Sequence, residues 1–221
     1  MKVYKAITLV LLLGSLTNAW AQETSDQRIP DDVFYLMPAF GHGMIYFKGQ
    51  APAQGELNIC AVDHTLRFID DSGTEMAAAS HDNILRVSID TVTFIRHQNA
   101  FLRLYPLSGD AGIAFRRDVL ILRDAKQGAY GTTSQTSSIN EYSTLYAEGG
   151  TFELNKSREY PYRVSETILV YKGDTVIIPG KNSLKRLFPD KKEEIDAYFK
   201  ANRSFPDKLD EASTILSQWM Q

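Results

Sequence analysis

The chain has 221 residues, 43% of them hydrophobic, 11% aromatic and 23% charged, a globular composition that excludes a disordered, collagenous or disulfide-stapled protein. A formal charge of −3 and a pI near 5.8 supply no basic footprint for a phosphate backbone, so nucleic acid is not an expected partner. The single cysteine, Cys60, has no internal disulfide partner and, with nothing basic beside it to lower its pKa, is expected to be packed rather than reactive.

Residues 1–5 read Met-Lys-Val-Tyr-Lys, an apolar run follows from Ala6 to Leu13, and Ala19-Trp20-Ala21 ends the segment. A basic start, an apolar stretch shorter than the roughly 20 residues of a membrane span and an A-x-A site predict a signal peptide cleaved after Ala21. Cleavage removes Lys2 and Lys5 but no acid, leaving 22 basic residues against 27 acidic ones and a charge of −5. The mature chain is expected to be exported to the periplasm or beyond, with no membrane span of its own.

Gly41-His42-Gly43 reads as a loop. From Met44 to Ile178 short runs of Val, Ile, Phe, Tyr and Thr alternate with Gly, Asp and Asn and predict strands. Residues 56–61 place Leu57, Ile59 and Ala61 on one face, and 65–69 place Leu66 and Phe68 on one face, with 62–64 as a tight hairpin connection. Asp70 to Gly73 predict the next turn, and 74–79 a returning strand. Along 84–96 the apolar parity changes, with Leu85, Val87 and Ile89 odd but Val92 and Phe94 even, which predicts a β-bulge or sharp bend at Asp90-Thr91 within one strand. His97 to Asn99 turn the chain into a strand over 100–105. Residues 118–123, apolar on both faces, predict a central strand.

Residues 125–150 lack apolar periodicity and predict a long loop, the first place to look for a binding surface. Tyr130, Tyr142 and Tyr146 lie in or beside it and are the candidate ligand-binding residues, because exposed tyrosines suit sugar or protein contact. Tyr160 and Tyr162 follow. Residues 163–171 and 175–178 frame Lys172-Gly173-Asp174 as a second hairpin. After Pro179-Gly180 the period becomes helical: Asp190 is a candidate cap for a helix carrying Ile195, Tyr198 and Phe199, and Ser204 for one carrying Leu209, Ala212, Leu216 and Trp219. The expected fold is therefore mainly β (α+β): an antiparallel sheet in a sandwich or barrel-like body over 22–180, then a helical pair over 181–221 packed on it.

Residues 55–94, in the order GELNICAV, TLRFID, a glycine turn and DNILRVSIDTVTF, resemble the opening strands of a PH or GRAM-like domain, after which the order departs from that family. The tail LFPDKKEEI over 187–195 is similar to the ends of uncharacterised exported β-rich proteins of Gram-negative envelope bacteria. That resemblance implies export and architecture and carries no activity.

Phosphate-binding glycine loops, H-E-x-x-H, G-x-S-x-G and C-x-x-C are absent from the sequence. The best constellation is Asp63-His64 with His81-Asp82, which antiparallel strands would bring to one end of the sheet as an acid–base or metal site, or as hydrated turn residues. The residues follow no ligand spacing on one element, so no metal and no cofactor are expected. Arg116-Arg117 has a partner at hand in Asp118. Asp90-Thr91-Val92 and Asp174-Thr175-Val176 match a short O-glycosylation acceptor pattern of exporting bacteria. The leading expectation is a non-catalytic module binding an envelope protein or glycan. Two alternatives stand beside it: a hydrolase drawing carboxylates from among Glu56, Glu75, Glu141, Glu148, Glu153 and Glu166, and a scaffold docking through its C-terminal helices.

Overall fold

The computed structural model describes residues 29–121 and 162–220. The signal-peptide reading and the tyrosine-rich loop, with Tyr130, Tyr142 and Tyr146, lie outside the described residues.

The fold is mainly β. After a single helical turn, α1 (Asp31–Phe34), ten strands build one antiparallel sheet: β1 (Gly41–Phe47), β2 (Ala53–Ile59), β3 (Leu66–Ile69), β4 (Glu75–Ala77), β5 (Ile84–Ile89), β6 (Val92–His97), β7 (Ala100–Ser108), β8 (Ala111–Ile121), β9 (Tyr162–Lys172) and β10 (Thr175–Ile177). Three helices follow, α2 (Lys181–Leu187), α3 (Lys192–Ala201) and α4 (Leu209–Trp219), with a 3-10 turn over Pro189–Lys191 between α2 and α3. The spatial order is β10-β9-β8-β7-β6-β5-β1-β2-β3-β4, so the sheet is open and its two edges are strands of three residues each. Short edges present few unpaired backbone groups to a second chain.

Four hairpins, β5–β6, β6–β7, β7–β8 and β9–β10, use two-residue turns whose first residue has positive φ: Asp90 (φ 50°), Gln98 (53°), Gly109 (56°) and Gly173 (55°). Such turns match the twist of the strands they join. They also correct the reading of 84–96. Asp90-Thr91 is a hairpin turn between two strands, with Ile89 opposite Val92, and not a bulge within one. The irregularity lies upstream, where Tyr46 faces Arg86 but Phe47 faces Ile84, so Leu85 is squeezed out and 53% exposed. Parity therefore breaks twice, once at each site, and the two breaks blurred together in the sequence.

Gly41-His42-Gly43 opens β1 and is not a loop. A Cβ on Gly43 would lie 2.6 Å from both Leu57 Cδ1 and Ser88 O, so glycine lets β1 pass closely between β2 and β5. The β2–β3 hairpin forms with a connection over 60–65, longer than read, and the turn at Asp70 is held by its carboxylate accepting Ser72 and Thr74 N–H groups. The described part of the run read over 118–123 belongs to an eleven-residue strand, β8, paired along its whole length with β9.

The concave face of the sheet carries two cores. Leu57, Ile59, Leu66, Val87, Ile89, Phe94 and Phe101, from β2, β3 and β5 to β7, pack on one another where the sheet curls. Further along, Ile113, Ile168 and Val170 of β8 and β9 meet Leu184, Ile195, Leu216 and Trp219 of the helices. The helix ends differ from expectation. Asp190 sits in the 3-10 turn, so α3 starts after Lys191, and α4 starts after Lys208 rather than at Ser204; α2 was not foreseen. Pro206 and Phe205 explain the delay, because Phe205 is buried against the helical core and holds the chain extended before α4. No described helix is long and apolar enough to cross a membrane.

Candidate functional site

β7 pairs with β8 only from Ser108 back to Arg103; beyond the Arg103–Phe115 pair, away from the hairpin turn, the two strands part. The β2–β3 connection fills the fork. Ala61 O accepts the Val119 N–H of β8 at 3.0 Å, while Tyr35, just beyond α1, bridges to Cys60 from behind. Cys60 is buried, and burial followed by the nearby Asp63 charge pushes its thiol up to about 12, which makes it inert packing as expected.

His64, at φ 52° and 6% exposed, completes the plug. Its Nδ1 accepts the Phe101 N–H of β7 at 3.3 Å and its Nε2 faces Asp118 Oδ1 of β8 at 2.9 Å. A neutral imidazole has one donor and one acceptor, so an Nδ1 that accepts fixes the proton on Nε2, where it is donated to Asp118. Asp118 also takes both Nε and Nη2 of Arg116. Burial opposes ionisation of Asp118 most strongly as a single effect. The hydrogen bonds from His64 and Arg116 together outweigh it, and the carboxyl titrates below its ordinary value. Arg96 donates to His64 O at 2.9 Å and lies 4.8 Å over the Phe101 ring.

His81 reaches the same end of the sheet, as the strand reading requires. Its Nε2 accepts the Leu66 N–H at 2.9 Å, and its ring meets that of Phe101 edge-on at 6.2 Å. Burial, then the Arg96 charge, lowers its pKa. Asp63 turns the other way: its carboxylate accepts Thr65 N–H and Oγ1–H and an Arg67 N–H, and Arg67 lies 3.7 Å from Glu75, which in turn accepts the Tyr35 hydroxyl. Asp82 is exposed. The sequence thus brought the right residues to one place, and neither of the roles it left open there, an acid–base or metal site or hydrated turn residues, describes what they do. Both imidazole lone pairs are spent on backbone N–H groups, which leaves neither available as a base or metal ligand, and among the described residues no group of three metal-ligating side chains gathers.

On the other side of the sheet's length an open cleft of about 670 Å³ runs between the β5–β6 turn, β7 and the start of α4. Thr91, Val92, Leu104, Pro106 and Leu107 line it together with Arg103, Tyr105, Leu209, Asp210 and Ser213. Arg103 lies 5.0 Å over the Tyr105 ring and, among the described residues, has no ion pair. The Asp210 side chain likewise has no hydrogen bond within the described residues, while Ser213 is turned back onto Leu209 O. The cleft is shallow and open to solvent, suited to contact along a ligand's side rather than to its enclosure.

No known family model, curated protein or solved structure matches the chain. The cleft must therefore be judged on its chemistry alone. Sequence reasoning passed over Arg103, Tyr105 and Asp210, although an arginine two residues from a tyrosine on a strand otherwise apolar was a usable signal; nothing local ties Asp210 to them. Tyr162, described at the start of β9, is 37% exposed and is not in the cleft. Thr91 and Thr175 are both exposed at hairpin turns, and Glu56 is engaged by His42 at 2.6 Å. Glu166 lies 3.8 Å from Arg117 across the β8–β9 pair.

Proposed function

We propose that the protein is a non-catalytic binding module that takes a small polar ligand, or a polar segment of an envelope partner or glycan, in the cleft between β7 and α4. The observation that supports this reading is the pairing of Arg103, a donor stacked on Tyr105, with Asp210, an acceptor, across one open cleft. A ligand with both hydrogen-bond acceptors and donors would satisfy both side chains, and the Tyr105 ring with Leu107 offers an apolar floor. The buried His, Asp and Arg groups that a hydrolase would need are engaged in holding the fork between β7 and β8. If residues 1–21 direct export, as their sequence predicts, this binding would take place in the cell envelope.

Glycan and peptide arrays probed with the purified mature chain, residues 22–221, test the reading. Ligands found there should lose at least tenfold in affinity, or about 1.4 kcal/mol, in Arg103→Ala and in Asp210→Ala. Affinity unchanged in both variants rejects the cleft, and loss on deleting residues 132–138 instead would move the site to the tyrosine-rich segment.

A further inference from the structure

The two histidines at the fork act as surrogate strands, each offering an imidazole lone pair to a backbone N–H that the ladder leaves without a carbonyl. Their surroundings are not equivalent. The His64 ring is held from both sides, by the Phe101 N–H on Nδ1 and by Asp118, 2.9 Å away on the opposite ring nitrogen. His81 has no carboxylate bonded to its ring. The charged groups around it are Arg96 of β6 and Arg67 of β3, against Asp63 of the β2–β3 connection and its own neighbour Asp82. Arg67 and Asp63 largely answer each other at 3.2 Å.

From this geometry we infer that residues 78–83, the connection from β4 to β5, form an acid-released strap fastened to β3 by the His81 imidazole. Ala78 donates to Leu66 O at 2.9 Å and His81 accepts from Leu66 N–H at 2.9 Å, so both backbone groups of Leu66 on that side are held by the strap. Protonating Nε2 turns the acceptor into a donor facing a donor, and the second fastening is lost. Release uncovers the end of the curled core, where Leu66 and Phe101 are fully buried. The sign follows from the lowered pKa of His81: the bond is intact above the ordinary histidine value of about 6.5 and is lost as pH falls through the lower folded value.

The test is amide NMR and hydrogen exchange on the full mature chain from about pH 7.5 to 4.5, corrected for intrinsic exchange, beside His81→Gln, whose amide oxygen accepts but does not ionise in that range. The Leu66 amide shift should titrate with the His81 ring, and protection at Leu66 should fall by up to about tenfold per pH unit between the ordinary histidine value of about 6.5 and that lower midpoint, then level off beneath it, while β8 and β9 stay protected. His81→Gln should abolish the titration at Leu66. The inference is overturned if the Leu66 amide is pH-invariant in the wild type, if His81→Gln retains the titration, or if protection falls evenly across all strands. Should His81→Gln not fold, the wild-type comparison of Leu66 with the His81 ring decides by itself.

Discussion

The two halves of the concave face solve the same problem differently. Where β1 to β7 curl, the sheet fills its own interior, and the open end is stopped by a polar plug of His64, Asp118, Arg116 and Arg96. Over β8 and β9, helices supply the missing layer with Leu184, Ile195, Leu216 and Trp219. A curled sheet leaves backbone groups unpaired at its fork, and these demand specific polar partners. Strands paired along their whole length leave only apolar area, which any well-fitted helix can cover. The first half should therefore be sensitive to single polar changes, and the second chiefly to lost volume.

Phe101 is the sharpest place to break the first half, because its side chain is wholly buried, its ring contacts Arg96 and His81, and its N–H is held by His64. Phe101→Ala should cost about 4 kcal/mol in urea unfolding at neutral pH. Leu216→Ala, at a fully buried position on α4, should cost about 3 kcal/mol. Its effect on native-state exchange should concentrate in α4 and β8, leaving Leu66 and the β2–β3 connection as protected as in the wild type. Equal loosening of both halves would show that the two cores are one cooperative unit.

Asp118→Asn should have the smallest effect of the three, about 2 kcal/mol at pH 7 from the charged hydrogen bonds to Arg116 and His64. This contribution depends on pH in a defined direction. Because folding lowers the Asp118 pKa, the stability is fully present above the unfolded value of about 3.9 and is lost as pH falls through the folded value beneath it. The gap between wild type and variant in urea midpoint should close on acidification through that window; a gap independent of pH would separate the effect from the Asp118 charge.

Much of this was legible in the sequence where the cause is local. Asp70 to Gly73 and Gly173-Asp174 declare turns by residue type, and the alternation of Leu57, Ile59, Leu66 and Phe68 declares one buried face. Asp90-Thr91 and Gln98-Asn99 are also two-residue turns, but neither carries glycine, so Asp90 was read as a bulge. The Asp-His dipeptides were found and rightly brought to one end of the sheet. Their role was hidden because it is set by groups far along the chain, Phe101 and Asp118, which lie 37 and 54 residues from His64. A lone pair accepting a distant backbone N–H has no signature in sequence, so neither a reactive site nor a hydrated turn described these pairs.

The central claim, that both histidines are backbone acceptors locked in place rather than reactive groups, is tested most directly by their ring nitrogen shifts. Long-range ¹H–¹⁵N spectra at about pH 7.5, well above the ordinary histidine pKa, report which nitrogen carries the proton. The account predicts opposite neutral tautomers, with the proton on Nε2 in His64, because Nδ1 accepts from Phe101, and on Nδ1 in His81, because Nε2 accepts from Leu66. Adding zinc should move neither ring. Rings that share one tautomer, that are charged at that pH, or that shift together when zinc is added would contradict it.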